Sequence, residues 1–453
     1  MVTLRALCLL VALVGCASQS SHTGSTLSSD RYIEISRTQY LDSLYGFWLG
    51  QCIANWTGLV TEMDKVGNLG EIKTGPFYTR ADWGKPDQPS IWGQGIPSNL
   101  SANIDFVTVG PDGIWGADDD TDIEYIYQTA LAQSESVLLS PEQIRNAWLT
   151  HIYSAQEPTP FGKDPEGNSE NFLWVSNQRA MDLMQQGILP PATGSLPLNP
   201  HFDMIDAQLT TEIFGFFAPT RADVALQLAD LPIRTVADKE AADIARFYVV
   251  IYSLAARVDP ALTPAQKVHW LAQEARRYLP EGQYPAAMYD FVKQQYESGV
   301  PWEQARDAIY QRYQVEQLDG YTLTSRKLYC NGCFAAGINF ASSLISLFYG
   351  EGDLKATIKI GALAGWDSDN PTATWGGLLG FIVGKDKIEQ AFGKTFSNRF
   401  NIHRTRKNFP NNGIDTFDAM AATGLTIVDK VVVQKMNGII DKERNVWRIP
   451  LSE

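Results

Sequence analysis

The stretch that most restricts what this chain can fold into spans residues 40–58, an apolar segment in which small residues recur at Gly46, Gly50, Ala54 and Gly58. Residues four apart lie in one row along a helix, and a row of glycines leaves a groove that a neighbouring helix can enter. The spacing predicts a helix buried on most sides. A chain of 453 residues, 44% of them hydrophobic and 19% charged, can supply the core such a helix needs. Further helical periodicity runs over residues 123–131, 141–153, 171–186, 206–217, 239–257, 264–278, 286–297, 302–313, 332–348, 353–364 and 372–383. Ser140-Pro141-Glu142-Gln143 and Thr263-Pro264-Ala265-Gln266 mark two of these starts, each a capping box with proline at the first helical position. No segment alternates convincingly enough for a sheet, so the expected class is all-α. Residues 63–117, dense in Gly, Pro, Asn and Asp, predict long loops, and loops of that length in a compact domain usually carry function.

Two acidic stretches carry the chemistry. Asp118, Asp119, Asp120 and Asp122 put four carboxylates in five positions directly before an apolar helix, and Asp367 and Asp369, two apart, precede another. One aspartate at a helix start is accounted for by capping and the helix dipole, worth roughly 0.3–1 kcal/mol. Three in a row plus a fourth are not, because they repel one another unless a cation or solvent faces them. Asp with Ser, Thr and Asn neighbours is the donor chemistry of Mg²⁺. Zinc would ask for His or Cys, and none of the five histidines, at 22, 151, 201, 269 and 403, lies three or four residues from another. Cys330 and Cys333 have C-x-x-C spacing, which suits a redox pair or half a zinc site, but no second pair completes four ligands. Their plainer reading is two small buried residues at a helix start, with an adventitious disulfide in an oxidising compartment. A net charge of -14, from 37 Lys+Arg and 51 Asp+Glu, repels polyanions and argues against nucleic-acid binding.

At these residues the chain resembles the ADP-ribosylglycohydrolase family. Members carry an early G-x-x-x-G-D-x-x-G-x-x-x-E segment, matched by Gly50, Ala54, Asn55, Gly58 and Glu62. They carry a Thr/Ser-Asp-Asp-Thr motif, matched by Asp118-Asp119-Asp120-Thr121, and a late Gly-Gly-Asp-Thr-Asp-Thr motif, matched by Gly365-Trp366-Asp367-Ser368-Asp369-Asn370. The three arrive in family order across roughly residues 40–392. The resemblance implies a compact orthogonal helix bundle with long loops around a central metal cleft. It also implies a site for two Mg²⁺, with Mn²⁺ as the substitute, held by Asp118, Asp119, Asp120, Asp367, Asp369 and Asn370. The catalytic carboxylates it implies are Glu62, Asp120 and Asp369, with the metals holding ribose hydroxyls while water attacks the anomeric carbon. Asp118 and Asn370 stand where members place Thr, Trp366 where they place Gly, and Ala54-Asn55 where they place Gly-Asp. Trp366 is therefore expected to shift substrate choice. Trp115, in the loop before the acidic cluster, joins it as a candidate substrate-binding ring, and Trp92 lies in the same loop region.

The N-terminus reads as a targeting signal: Arg5, an apolar run over residues 7–14, then Leu13-Val14-Gly15-Cys16, which resembles the bacterial lipobox. This implies cleavage before Cys16, lipidation of its thiol, and an exported protein anchored to a bacterial membrane on the periplasmic or cell-surface side. The expected organisation is a signal peptide at 1–15, a flexible tether at 16–35, an ADP-ribosylglycohydrolase-like helical domain at 36–392 and an extension at 393–453 packed upon it. Arg399, His403, Arg404, Arg406 and Lys407 in the extension read as a solvated face. The expected function is hydrolysis of an N- or O-glycosidic bond in a small-molecule or glycoside substrate, ADP-ribose or a relative. The competing reading is a non-catalytic sugar- or nucleotide-binding lipoprotein of the same fold.

Overall fold

The computed structural model describes residues 32–451 apart from 94, 96, 164–166, 323–329 and 331. The signal peptide and Cys16 lie outside the described residues. The described residues begin with strand β1 (Tyr32–Ser36), so the last four positions expected as tether belong to the folded domain. Helix α1 (Arg37–Gly58) follows, capped by Ser36, whose hydroxyl accepts from the Gln39 backbone N–H. After loops and the short strand β2 (Trp115–Gly116) come α2 (Asp119–Gln133), α3 (Pro141–His151), α4 (Val175–Gln185), α5 (Asp206–Thr210) and α6 (Ile213–Phe217). Then come α7 (Ala222–Val236), α8 (Lys239–Ala255), α9 (Pro264–Arg276), α10 (Tyr284–Glu297), α11 (Trp302–Ile309), α12 (Ala336–Gly350), α13 (Leu354–Ala364), α14 (Asp369–Val383) and α15 (Lys385–Phe392). The C-terminal part adds β3 (Arg399–Asn401), β4 (Ile414–Thr416), α16 (Phe417–Lys435), β5 (Ile439–Asp441) and β6 (Val446–Pro450). Both expected capping boxes are formed, at Ser140 and at Thr263. Among the described residues no helix is long and apolar enough to cross a membrane.

The small-residue row does what its spacing predicts. Every residue of α1 from Leu44 to Gly58 is buried, and its most extensive partner is α14. A Cβ on Gly46 would stand 2.3 Å from the carbonyl oxygen of Gly380, and one on Gly50 2.3 Å from that of Gly376. The two backbones therefore touch, with Gly376 fitted against the Cβ of Ala54. The helix expected over 206–217 is broken in two. The Thr210 and Thr211 hydroxyls donate to the carbonyls of Asp206 (2.8 Å) and Ala207 (2.6 Å), back-bonding that competes with the helical ladder.

Sheet is scarce but placed where it matters. One small sheet has order β1-β6-β5 and clamps the two ends of the described chain together. In the other, β2 lies parallel to β3 with Trp115 opposite Phe400, and β3 is antiparallel to β4. The segment expected as an extension packed on the domain thus supplies a strand beside the acidic cluster. The basic face is corrected in one residue: Arg406 is fully buried, its Nε 2.9 Å from the Asp122 carboxylate and its Nη1 donating to the Asn171 carbonyl at 2.8 Å. Asp122 is consequently a structural partner of the C-terminal segment, also bonded by the Thr405 hydroxyl at 2.7 Å.

Candidate metal centre

The close approach of α1 and α14 brings the two acidic stretches together. Gly58 ends α1, and a Cβ there would lie 2.3 Å from the Cα of Asp369, so only glycine lets the start of α14 come this near. Ser368 fastens the junction, its hydroxyl donating to the Gly58 carbonyl at 3.0 Å and lying 3.1 Å from that of Thr61. Glu62 is brought in by a backbone exchange: Met63 N–H donates to the Trp366 carbonyl (2.9 Å) and Trp366 N–H to the Lys65 carbonyl (2.7 Å). Asp367 is held by its own N–H, which donates to Asn339 Oδ1 at 3.2 Å.

Oxygens of Asp118, Asp119, Asp120 and Asp369 lie within 4.8 Å of one another, and so do those of Glu62, Asp367 and Asp369. Asp369 belongs to both groups. Asn55 Nδ2 donates to Asp118 Oδ2 (3.1 Å) and Asp120 Oδ2 (3.0 Å), while Asn370 Nδ2 donates to Asp120 Oδ1 (2.9 Å). Asn370 Oδ1 faces the Gln208 amide at 3.4 Å, so this side chain bridges Asp120 to α5. The carboxylates are pushed toward their protonated forms. Burial and then the charge of Asp369 raise Glu62, Asp120 and Asp367 well above the ordinary carboxylate range, and burial and then Asp118 do the same for Asp119. Asp369 is pushed up to about 6, by burial first and Asp118 second. An all-oxygen donor set that cannot ionise together without help fits a hard divalent cation. The buried Asp369 Oδ1 has no hydrogen-bond partner, as a position facing an ion requires.

Both groups open on one cavity of about 620 Å³. Its wall holds Glu62, Asp118, Asp119, Asp120, Asp367, Asp369 and Asn370, so the predicted site residues converge although their motifs are some 250 positions apart. The two predicted substrate rings do not. Trp115 is fully buried with its indole N–H on the Ser397 carbonyl (3.0 Å), because pairing of β2 with β3 turns it into the core. Trp366 has φ 58°, which swings its ring away from the cavity against Phe77 and onto Gln314 Oε1 (2.7 Å). The aromatic wall is built instead by Trp56, Trp92, Phe161, Phe172, Trp174 and Phe334. The reading of Cys330 and Cys333 as small buried residues holds, and they form a disulfide.

Several residues of the site carried no signal on their own. Asn55 was visible only as a departure from the resembled motif. Asp206 lines the cavity, pushed up to about 7 by burial, with Oδ1 accepting from Asn177 N–H at 2.8 Å and a buried, unpartnered Oδ2. Behind the cluster Gln51 Nε2 links the Asp120 carbonyl (3.2 Å) to Glu124 Oε2 (2.7 Å). Glu124 sits by a second buried acid, Glu212, which burial pushes up to about 8 and which accepts from the Thr374 hydroxyl at 3.0 Å.

Residues 36–412 match the ADP-ribosylglycohydrolase family. A solved chain titled "ADP-ribosylglycohydrolase-related protein complex" superposes with 15% identity and a TM-score of 0.45, over 87% of this chain and 99% of that one. No curated protein matches.

Proposed function

The chain belongs to the ADP-ribosylglycohydrolase family, and from that premise we propose that it is a Mg²⁺-dependent hydrolase of an N- or O-glycosidic bond in ADP-ribose or a related glycoside. The observation that carries this reading is the pair of carboxylate groups sharing Asp369 and opening on one small-molecule-sized cavity. Asp118, Asp119, Asp120, Asp367 and Asp369 would hold the cations. Two Mg²⁺ ions, or Mn²⁺ in their place, would orient sugar hydroxyls and stabilise charge developing at the anomeric centre. The chain's own side chains do the rest. Asn55 and Asn370 each donate to one oxygen of Asp120, which fixes that carboxylate while leaving further lone pairs for a ligand. Glu62, half-buried on the Asp367 side of Asp369, is the group for proton transfer. Its affinity for a proton is raised by burial and by its acidic neighbours.

The sequence of residues 1–16 supports an exported protein held to a bacterial membrane through lipidated Cys16. The decisive experiment is turnover of ADP-ribose conjugates and simple glycosides by the wild type and by Asp120→Ala and Asp369→Ala, with folding checked by circular dichroism. Both variants are expected to lose Mg²⁺-dependent cleavage by a factor of about 10³ or more while staying folded. Unchanged turnover in both would refute the proposal. Saturable ligand binding with no bond cleaved by the wild type would assign the non-catalytic sugar- or nucleotide-binding role instead.

A further inference from the structure

The cavity wall has a charge balance and an aromatic edge that the hydrolase reading does not use. Among the described residues eight carboxylates line it, against a single cation, Arg404. That guanidinium is already engaged, lying 4.2 Å from the centroid of the Trp56 ring and facing the charge of Asp118. Helix N-termini are the other usual seats for phosphate, and here the protein's own acids occupy them. At α4 the Asn177 N–H donates to Asp206 Oδ1 at 2.8 Å, and at α2 Asp118 itself stands at the N-cap. Two divalent cations would offset only about half of the wall's formal charge. Among the described residues a dianionic pyrophosphate therefore meets no cationic side chain but Arg404, and an acidic wall everywhere else.

At the rim stands a stack of rings. Trp92 is parallel to Trp174 within 4°, centroids 6.1 Å apart, and lies within 13° of Phe334 at 5.3 Å. Both tryptophans keep an open surface, 38% and 42% exposed, although they line the cavity. The platform is anchored to the site. Ile91 N–H, next to Trp92, donates to the Met63 carbonyl at 3.1 Å, one residue from Glu62. Ile205 N–H donates to the Phe334 carbonyl at 2.9 Å, one residue from Asp206. At 6.1 Å between centroids the two indoles leave too little room for a flat base to intercalate, because each face needs about 3.5 Å. What they offer is open aromatic surface beside a wall of hydrogen-bond acceptors. That pairing matches a neutral sugar ring, which has an apolar C–H face and a rim of hydroxyl donors.

Resting on the glycosidase reading, we infer that the substrate is a neutral carbohydrate, one ring of which lies on the Trp92/Trp174 platform while its neighbour reaches the acidic cluster. The test uses the Mg²⁺-loaded protein and isothermal titration with neutral di- to tetrasaccharides of the cello, xylo, manno, malto and galacto series, and with ADP-ribose. At least one oligosaccharide is expected to bind more tightly than ADP-ribose, and Trp174→Ala to weaken it about tenfold or more with the fold intact. Tighter binding of ADP-ribose than of every oligosaccharide, no oligosaccharide binding, or indifference to Trp174→Ala would overturn the inference. Product analysis separates the two claims. Oligosaccharide binding without cleavage refutes the hydrolase reading alone, and cleavage confined to ADP-ribosyl compounds refutes this inference alone.

Discussion

Replacing Gly50 by alanine sets two physical effects of opposite sign against each other. On helix propensity the change should help, since alanine is favoured over glycine inside a helix by about 1 kcal/mol. On packing it should hurt. The new Cβ would stand 2.3 Å from the Gly376 carbonyl oxygen and 3.0 Å from the Gly380 Cα, so the two helices must part by more than an ångström to reach ordinary contact. Overpacking of a tight core costs about 1–3 kcal/mol. Here the obstacle is backbone, which cannot rotate aside, so the upper part of that range applies. The net expectation is a loss of about 2 kcal/mol in urea unfolding. Gly424→Ala in α16 is the control, because its Cβ would meet only side-chain ends, Gln128 Oε1 and a Leu44 methyl, both at 3.2 Å. It should be neutral or stabilised by up to about 1 kcal/mol. Parting α1 from α14 also separates Asn55 from Asn370, which hold Asp120 between them, and Gly58 from Asp369, so Gly50→Ala should weaken Mg²⁺ binding in calorimetry. A Gly50→Ala protein as stable as wild type would refute the backbone-contact argument.

Two further outcomes follow from the buried acids. In EDTA the cluster binds more protons folded than unfolded, so stability should fall as pH rises from about 4 through the value near 6 of Asp369 and beyond. Mg²⁺ needs the ionised forms, so the rise in Tm that it produces should be larger at pH 8 than at pH 5.5; a rise independent of pH would contradict a carboxylate site. Glu212 makes the second case, because a carboxyl raised from 4.5 to about 8 contributes fully below pH 4.5 and loses that contribution as pH climbs through 8. At about 1.4 kcal/mol per pH unit the span is at most ~5 kcal/mol. Glu212→Gln should therefore flatten the stability–pH curve and be the more stable protein at pH 9, and an unchanged slope would count against it.

Local signals carried well to the structure where one segment sufficed to express them. The row at 46, 50, 54 and 58 announced a buried helix, and Ser140 and Thr263 announced helix starts, because a cap or a periodicity is decided within a few residues. Repulsion among Asp118, Asp119 and Asp120 likewise marked them as needing a counter-charge. Pairings that depend on distant backbone left no such mark. A two-residue strand at Trp115–Gly116 has no periodicity to read, so the burial of Trp115 became visible only beside Arg399–Asn401. The same holds for Arg406, whose basic neighbours Arg404 and Lys407 are exposed and half-buried but whose own guanidinium meets Asp122 in the core.

By itself the sequence determined the class of the fold and which carboxylates could act as a unit, since periodicity, small-residue spacing and charge density are properties of short stretches. Tertiary structure alone decided which side chains face the cavity. Trp366 is turned out of it by a left-handed backbone that no neighbouring residue type demanded, while Trp92 and Trp174, from loops far apart in the chain, are turned in. Direction at a site depends on where other backbones leave room. That is a property of the packed molecule, as the contact between Gly58 and Asp369 makes plain.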